Sequence, residues 1–468
     1  MKRFSPLSLI IPLVVPLAFS AKDASAVPAF ARKYQTACST CHLAFPVRNG
    51  FGEAFRNNGY RFPGGQDEDM VKETPIELGK DAYKNVFPNA IWPSDLPAMP
   101  SLGFLARVSA STAKSTEGKY TDSNYEEEID IFFAGTVTPQ ISYIGDMAIG
   151  PNKEPAKLGR LSLLWTFKPG VTMAFGTVGF PERFDIISTT AGGDSNGFAA
   201  QMPNPNKGVE LRLTGDTGSG SGYSLIAGFG RNSQTDGASI PPVNESDDLG
   251  NTSVIHTYDQ NNSTTGGNFG DTKYARASFK LGGNGLLSGA GGTFGNNYIG
   301  LDNSIVFGVN YLSSSSGTNV DGADYVVGLS NTVYGGDVTI SYGNIRLLGQ
   351  YTRFNEITVN ETIQEVVNGI ITTSTSTSNN YGKRNTYSLE ADYWLYPWLF
   401  GVVRYEHLKD SFNGSYAKVI PGVGALLRPN FKVGVEYVNV ANIETWNTNY
   451  GASPAPTKSW NFFAQLGF

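Results

Sequence analysis

The sequence predicts an all-β fold: an antiparallel transmembrane β-barrel of about sixteen strands, possible up to eighteen, with a small α-helical segment ahead of it. Three observations carry this. From about Leu102 the chain breaks into segments of roughly ten residues that alternate apolar and polar, the barrel signature. The composition is rich in glycine (55 residues) and aromatics (12%) but poor in charge (16%), which suits many strands joined by generous polar loops. The last strand alternates up to the final residue: Trp460, Phe462, Ala464, Leu466 and Phe468 on one side, Asn461, Gln465 and Gly467 on the other, with Phe463 the exception.

Taken strand by strand, Tyr387, Leu389, Ala391, Tyr393 and Leu395 form one face against Thr386, Ser388, Glu390 and Asp392. Phe431, Val433, Val435 and Tyr437 oppose Lys432, Gly434 and Glu436 in the same way. Single segments of this kind also occur in soluble sandwiches, so the C-terminus decides: its alternating aromatic end resembles the closing strand of bacterial outer-membrane barrels. Short connections are expected at Pro139, Lys168-Pro169-Gly170, Gly343-Asn344, Tyr396-Pro397 and Arg428-Pro429-Asn430. Long polar ones are expected at about 181 to 207, 232 to 270, 356 to 383 and 441 to 457, the asymmetry of short periplasmic turns and long extracellular loops. Trp394, Tyr396, Trp398 and Phe400 read as an interfacial girdle. The glycine-rich stretch from Leu286 to Tyr298 reads equally as strand or loop. A barrel of this size has a lumen wide enough for contents.

The chain opens with Lys2 and Arg3, continues apolar from Leu7 to Phe19, and reaches Ala24-Ser25-Ala26, the pattern of a secretory signal peptide over residues 1–26. Pro12 and Pro16 break the apolar stretch, which is shorter than the roughly 20 residues of a spanning helix. The formal charge of −6 becomes about −8 when three basic residues and one acidic residue leave with the peptide. This balance argues against nucleic acid, whose phosphates need a basic surface.

The two cysteines both lie in Cys38-Ser39-Thr40-Cys41-His42. That spacing is the attachment site of a c-type haem: two thiols add to the vinyl groups and the adjacent imidazole binds iron. A zinc site lacks ligands, since the remaining histidines, His256 and His407, are far downstream. A thioredoxin-like pair lacks its βαβ context. Cys38, Cys41 and His42 are therefore the candidate cofactor-binding residues for one covalent haem c.

Residues 27–100 are expected to form a monohaem cytochrome c-like plug and residues 101–468 the barrel. The plug's clearest element is a short helix opened by Pro46, with Val47, Phe51, Ala54 and Phe55 as its apolar stripe and Gly59 closing it. Lying before the first strand, it enters from the periplasmic end and sits in the lumen or at its mouth. Ala29-Phe30-Ala31-Arg32, Cys38 to His42, Phe45-Pro46, Asn49, Phe51-Gly52, Ala54-Phe55 and Gly59-Tyr60 together resemble the N-terminal pattern of fused monohaem cytochrome–porins. The resemblance covers about residues 28 to 63 and is architectural beyond. It implies an outer-membrane electron conduit of the kind found in Fe(II)-oxidising bacteria, with Cys38 and Cys41 as thioether anchors and His42 as proximal ligand.

Among candidates for the sixth haem ligand, Met99 between prolines is best placed, with a plain hydrophobic contact as the bland reading; Met70 follows the acidic run Asp67-Glu68-Asp69. Arg48, Arg56 and Arg61 are candidates for the haem propionates, although such arginines are usually only solvated. In Glu126-Glu127-Glu128-Ile129-Asp130, alternation turns Glu126, Glu128 and Asp130 toward the lumen near its extracellular mouth, where they could attract a divalent cation; a polar lining is the blander alternative. Asp247 and Asp248 carry the same two readings.

The expected function is single-electron transfer across the outer membrane, between an extracellular metal ion or other redox donor or acceptor and a periplasmic c-type cytochrome. Fe(II) oxidation is the reaction the resemblance implies, and export to extracellular acceptors uses the same parts in reverse. The competing classes are a diffusive porin with a structural or sensory haem, and a soluble periplasmic haem protein.

Overall fold

A computed structural model describes residues 29–44, 47–63, 67–72, 75–77, 95–97, 102–114, 121–138, 140–149, 157–178, 207–231, 245–246, 252–253, 272–287, 301–319, 325–355, 357–367, 370–381, 383–410, 414–441 and 458–467. The signal-peptide region, Phe45, Pro46, Met99, His256, Asp247, Asp248 and Phe468 lie outside them.

Sixteen antiparallel strands form the closed wall. They are β1 (Leu102–Lys114), β2 (Thr121–Thr136), β3 (Ile141–Ile149), β4 (Lys157–Lys168), β5 (Val171–Gly176), β6 (Lys207–Gly218), β7 (Ser221–Arg231), β8 (Thr272–Leu281), β9 (Ser304–Asn319), β10 (Tyr325–Tyr342), β11 (Ile345–Phe354), β12 (Arg384–Tyr396), β13 (Leu399–Asp410), β14 (Gly414–Arg428), β15 (Phe431–Ala441) and β16 (Lys458–Gly467). β16 pairs with β1, Trp460 opposite Thr112 and Leu466 opposite Ala106, so the ring has no free edge. Two further segments, Ile357–Val367 and Ile370–Tyr381, pair with each other, and the first continues along β10 where β11 stops. They form a hairpin that prolongs β11 and β12 beyond the wall, where the sequence suggested a polar loop. In the doubtful stretch, Leu286 and Leu287 are bends, and residues 288–298 lie outside the described residues.

The alternation sorts side chains as the sequence suggests. Leu161, Leu163, Trp165, Phe167, Leu389, Tyr393, Leu395 and Trp460 face out and are 41–57% exposed, whereas Glu390, Asp392, Asn461 and Gln465 face in and are buried. An outward apolar band on a closed ring of paired strands is the β-architecture a hydrocarbon layer accepts, which places the chain in the bacterial outer membrane. Tyr342, Tyr396 and Trp398 stand exposed beside the short turns, with the last two rings stacked at 5.5 Å. Trp394 and Phe400 correct the girdle reading: both point inward, 0% and 2% exposed. Phe463, the exception in the last strand, also faces inward, against Gly434 and with Lys432 at 5.6 Å from its ring.

The N-terminal segment contains α1 (Ala29–Tyr34), α2 (Gly50–Asn57) and α3 (Asp67–Met70), with a short hairpin of residues 42–44 and 47–48 between the first two. Gly50, one residue after its cap Asn49, begins α2, so Pro46 does not open it. Gly59 closes the helix in a left-handed conformation (φ 70°), and a Cβ there would stand 2.3 Å from Thr166 Oγ1 of the wall. Residues 75–77 and 95–97 form a further two-stranded pairing.

Candidate functional site

The Cys38–Thr40 stretch forms one tight turn, with Cys41 N–H donating to Cys38 O at 3.2 Å. His42 follows at the start of the short hairpin, and Cys38, Cys41 and His42 are all partly exposed. Asn49 holds this turn to α2. Its Oδ1 accepts from Gly52 N at 2.9 Å as the helix cap, its Nδ2 donates to Ser39 O at 3.2 Å and Thr40 O at 3.0 Å, and its own N–H reaches Cys41 O at 2.9 Å. Burial pushes the Cys41 thiol up to about 12, with the nearby Cys38 adding to the shift, and burial also raises Cys38. Both sulfurs are thus held as neutral thiols close to one another.

Below the turn lies an aromatic cluster. Phe30 and Tyr60 are parallel at 5.6 Å, Phe30 meets Phe55 edge-on at 5.0 Å, Phe51 meets Phe62 at 5.2 Å, and Tyr34 meets Phe55 at 5.7 Å. Asp67 ties its ends together, accepting from Lys33 Nζ at 2.9 Å, from Phe62 N at 2.8 Å and from the Tyr34 hydroxyl. Burial would raise the Asp67 carboxyl, but Lys33 and these hydrogen bonds hold it down; burial and Asp67 raise the Tyr34 hydroxyl. Asp67, the first residue of the acidic run, is thus a clasp, whereas Asp69 is exposed.

This segment crosses the lumen at the end of the short turns. On one side, Gly59 O accepts from Ser142 Oγ at 2.5 Å, Arg61 Nη2 donates to Thr138 O at 3.0 Å, and Tyr60 packs against Leu164, Ala174 and Val178. On the other, Leu43, Ala44 and Val47 pack with Leu301, Trp394, Phe400, Val402 and Leu426. Asn57 and Asn58 donate to Leu286 O and Leu287 O between them. Leu164 belongs to β4 and Trp394 to β12, eight strands apart in a ring of sixteen, so the segment spans from one wall to the opposite wall.

Two of the three candidate propionate arginines are engaged by a neighbouring acid. Glu53 takes Arg48 Nε at 2.6 Å and Arg56 Nη2 at 3.2 Å. Burial would raise its carboxyl, but Arg48 and Arg56, with Lys280 of β8 behind them, hold it at about 2. Arg61 is spent on the wall, as above. Met70 is half-buried at the end of α3, and His407 lies on the outer face, its ring 5.9 Å from that of Tyr387. The side chain of Glu126 lies outside the described residues; Glu128 and Asp130 do face the lumen, where they share Arg107 at 3.0 and 3.6 Å. They stand partway along β2 rather than at the mouth, because the strand begins at Thr121. Among the described residues no group of three or more His, Cys, Asp or Glu side chains could hold a metal ion.

Further along the wall the lumen face carries buried ion pairs: Arg276 with Asp337 at 2.6 Å, Arg346 with Asp392 at 2.7 Å, and Arg404 with Glu406 at 2.8 Å. The chain is similar to solved outer-membrane channels. OmpF of Salmonella typhi, solved with daunomycin, aligns at 11% identity over 78% of this chain and 97% of its own, with TM-score 0.44. The outer membrane channel DcaP of Acinetobacter baumannii aligns at 10% over 78% and 96%, TM-score 0.44. The anion-selective porin from Comamonas acidovorans aligns at 10% over 78% and 98%, TM-score 0.42. No protein-family model and no curated protein matches the sequence. The architecture stands on the strand pairings themselves.

The donor set fits a covalent haem: two partly exposed thiols on one turn and a partly exposed imidazole on the next residue are the required chemistry. Sequence reasoning gave Asn49 and Gly52 only as part of a family pattern, Asp67 only as part of an acidic run, and Trp394 as a girdle residue. For Trp394 a signal existed: it continues the inward series Thr386, Ser388, Glu390, Asp392.

Proposed function

We propose that this barrel is an outer-membrane electron conduit, in which one haem c attached at Cys38 and Cys41 and ligated by His42 exchanges single electrons between an extracellular donor, Fe(II) foremost, and a periplasmic c-type cytochrome. The observation that carries the reading is the Cys38–His42 motif on a segment wedged across the lumen, from β4 to β12. When bound, the haem supplies a one-electron Fe(III)/Fe(II) couple whose potential depends on ligands and burial. The chain's own residues do the rest. Asn49 fixes the motif turn, the aromatic cluster excludes water beneath it, and the wall contacts hold the turn at one place in the lumen.

The test is anaerobic mixing of the purified protein in detergent with Fe(II), following the haem absorption. Prompt reduction, lost in His42→Ala with the barrel intact, supports the proposal. Reduction by dithionite but not by Fe(II) removes iron as donor and leaves another donor, electron export, or a porin with a structural haem. A barrel that carries no haem sinks the reading.

A further inference from the structure

The outer face of β11, β12 and β13 changes character in three steps along the strands. Toward the middle of the wall, Leu347, Leu389, Val403 and Tyr405 are exposed and apolar. Further from the short turns, Tyr351 pairs with Tyr387 and Tyr387 with His407, their rings 5.0 and 5.9 Å apart. Two residues beyond these, Arg353 stands opposite Asn385 and Asn385 opposite Lys409. Tyrosines between hydrocarbon and polar groups mark the boundary of a bilayer. The other ends of these strands meet at Gly343-Asn344 and Tyr396-Pro397, beside the N-terminal segment, so this boundary belongs to the extracellular leaflet.

The last row is suited to a negative charge. It holds two cations and no acid, and the described acidic side chains of the same strands, Glu390, Asp392 and Glu406, are buried on the lumen side. Lys409 is exposed, Arg353 is half-buried, and the Arg353 Nε–H meets no acceptor among the described residues. Between them, Asn385 Oδ1 accepts from the Tyr351 hydroxyl at 3.0 Å, which fixes the amide. Neighbouring strands lie about 4.8 Å apart, so two long cationic side chains two strands apart can close on one anionic group. We propose that Arg353, Asn385 and Lys409 bind a headgroup phosphate of a phosphorylated glycolipid in the outer leaflet, whose acyl chains run down over Tyr387, Leu389 and Leu347. Two features select this occupant: the row continues the hydrocarbon-facing wall without a break, and its charge complements a phosphate. Free phosphate shares the headgroup's chemistry but has no chains to cover the apolar rows. The site lies on the outer face of the wall, away from the N-terminal segment, and is independent of the haem reading.

The experiment incubates the purified full chain in detergent with phosphorylated lipid A or with its dephosphorylated form, in EDTA so that no divalent cation bridges, and counts the lipid retained per barrel by native mass spectrometry. The wild type is expected to retain the phosphorylated form severalfold better. The double variant Arg353→Gln, Lys409→Gln is expected to lose that preference. Lys273→Gln removes another exposed lysine, on β8 between Phe229 and Ser313, and is expected to keep it. Equal retention of the two lipids by the wild type, or equal losses in the double variant and in Lys273→Gln, overturns the proposal. Displacement of the lipid by millimolar inorganic phosphate assigns the row to a free anion and overturns the choice of a lipid. If the double variant does not fold, as read by heat-modifiable gel migration, Lys409→Gln alone is expected to show a partial loss, and full retention overturns the assignment.

Discussion

Gly52 faces the backbone of Cys41 so closely that a Cβ on it would lie 2.2 Å from the Cys41 carbonyl oxygen. No side-chain rotation relieves that contact, because both partners are backbone. Gly52→Ala is therefore expected to push the motif turn off α2, costing about 1–3 kcal/mol of local stability, and to lower haem per barrel severalfold. The ratio of pyridine haemochrome to folded barrel measures it; an unchanged ratio would mean that the turn tolerates displacement.

Glu53 sets an acid limit on the N-terminal segment. Its carboxyl is held at about 2 against an ordinary 4.5, so the stabilisation is full above about pH 4.5 and is lost as pH falls toward 2. Near-ultraviolet dichroism of the aromatic cluster should loosen across that window in the wild type. Glu53→Gln should be weaker at neutral pH and lack the dependence; coincident acid profiles would exclude the Arg48–Glu53–Arg56 cluster as the cause.

A segment braced between β4 and β12 is expected to obstruct diffusion. In planar bilayers the wild type is expected to show a conductance well below that of the variant lacking residues 29–72, with sugar uptake into liposomes following the same order. Equal conductances would favour the diffusive-porin reading over the conduit.

Arg107 holds both Glu128, at 3.0 Å, and Asp130, at 3.6 Å, and so competes with any cation for these acids. Arg107→Ala should uncover the pair. Mn(II) binding by electron paramagnetic resonance is expected to be stronger in the variant than in the wild type, with about 1 kcal/mol lost from the β1–β2 pairing. Equal binding by the two would show that Arg107 does not compete for the acids.

The barrel was legible because a wall strand has one lipid face and one lumen face, and Tyr387 to Leu395 and Trp460 to Leu466 follow that period without local exceptions beyond Phe463. Loops were less so. The segment from Ile357 to Tyr381 is rich in Ser and Thr and reads as polar loop, yet backbone pairing along β10 makes it a hairpin. The contacts that seat the N-terminal segment were not legible at all, since Gly59 with Thr166, or Ala44 with Trp394, are pairs that only the closed ring brings together. Trp394 shows the boundary between the two: its direction followed from period, whereas aromatic type beside a short turn suggested a membrane interface.

The pairing of β16 with β1 also sets the cost of closing the ring. Leu466 meets Ala106 although these positions stand at opposite ends of the wall's sequence, and a contact of such separation forms slowly. Until it forms, β1 and β16 each present an open edge, and the N-terminal segment between β4 and β12 lies in a ring with an unsealed side.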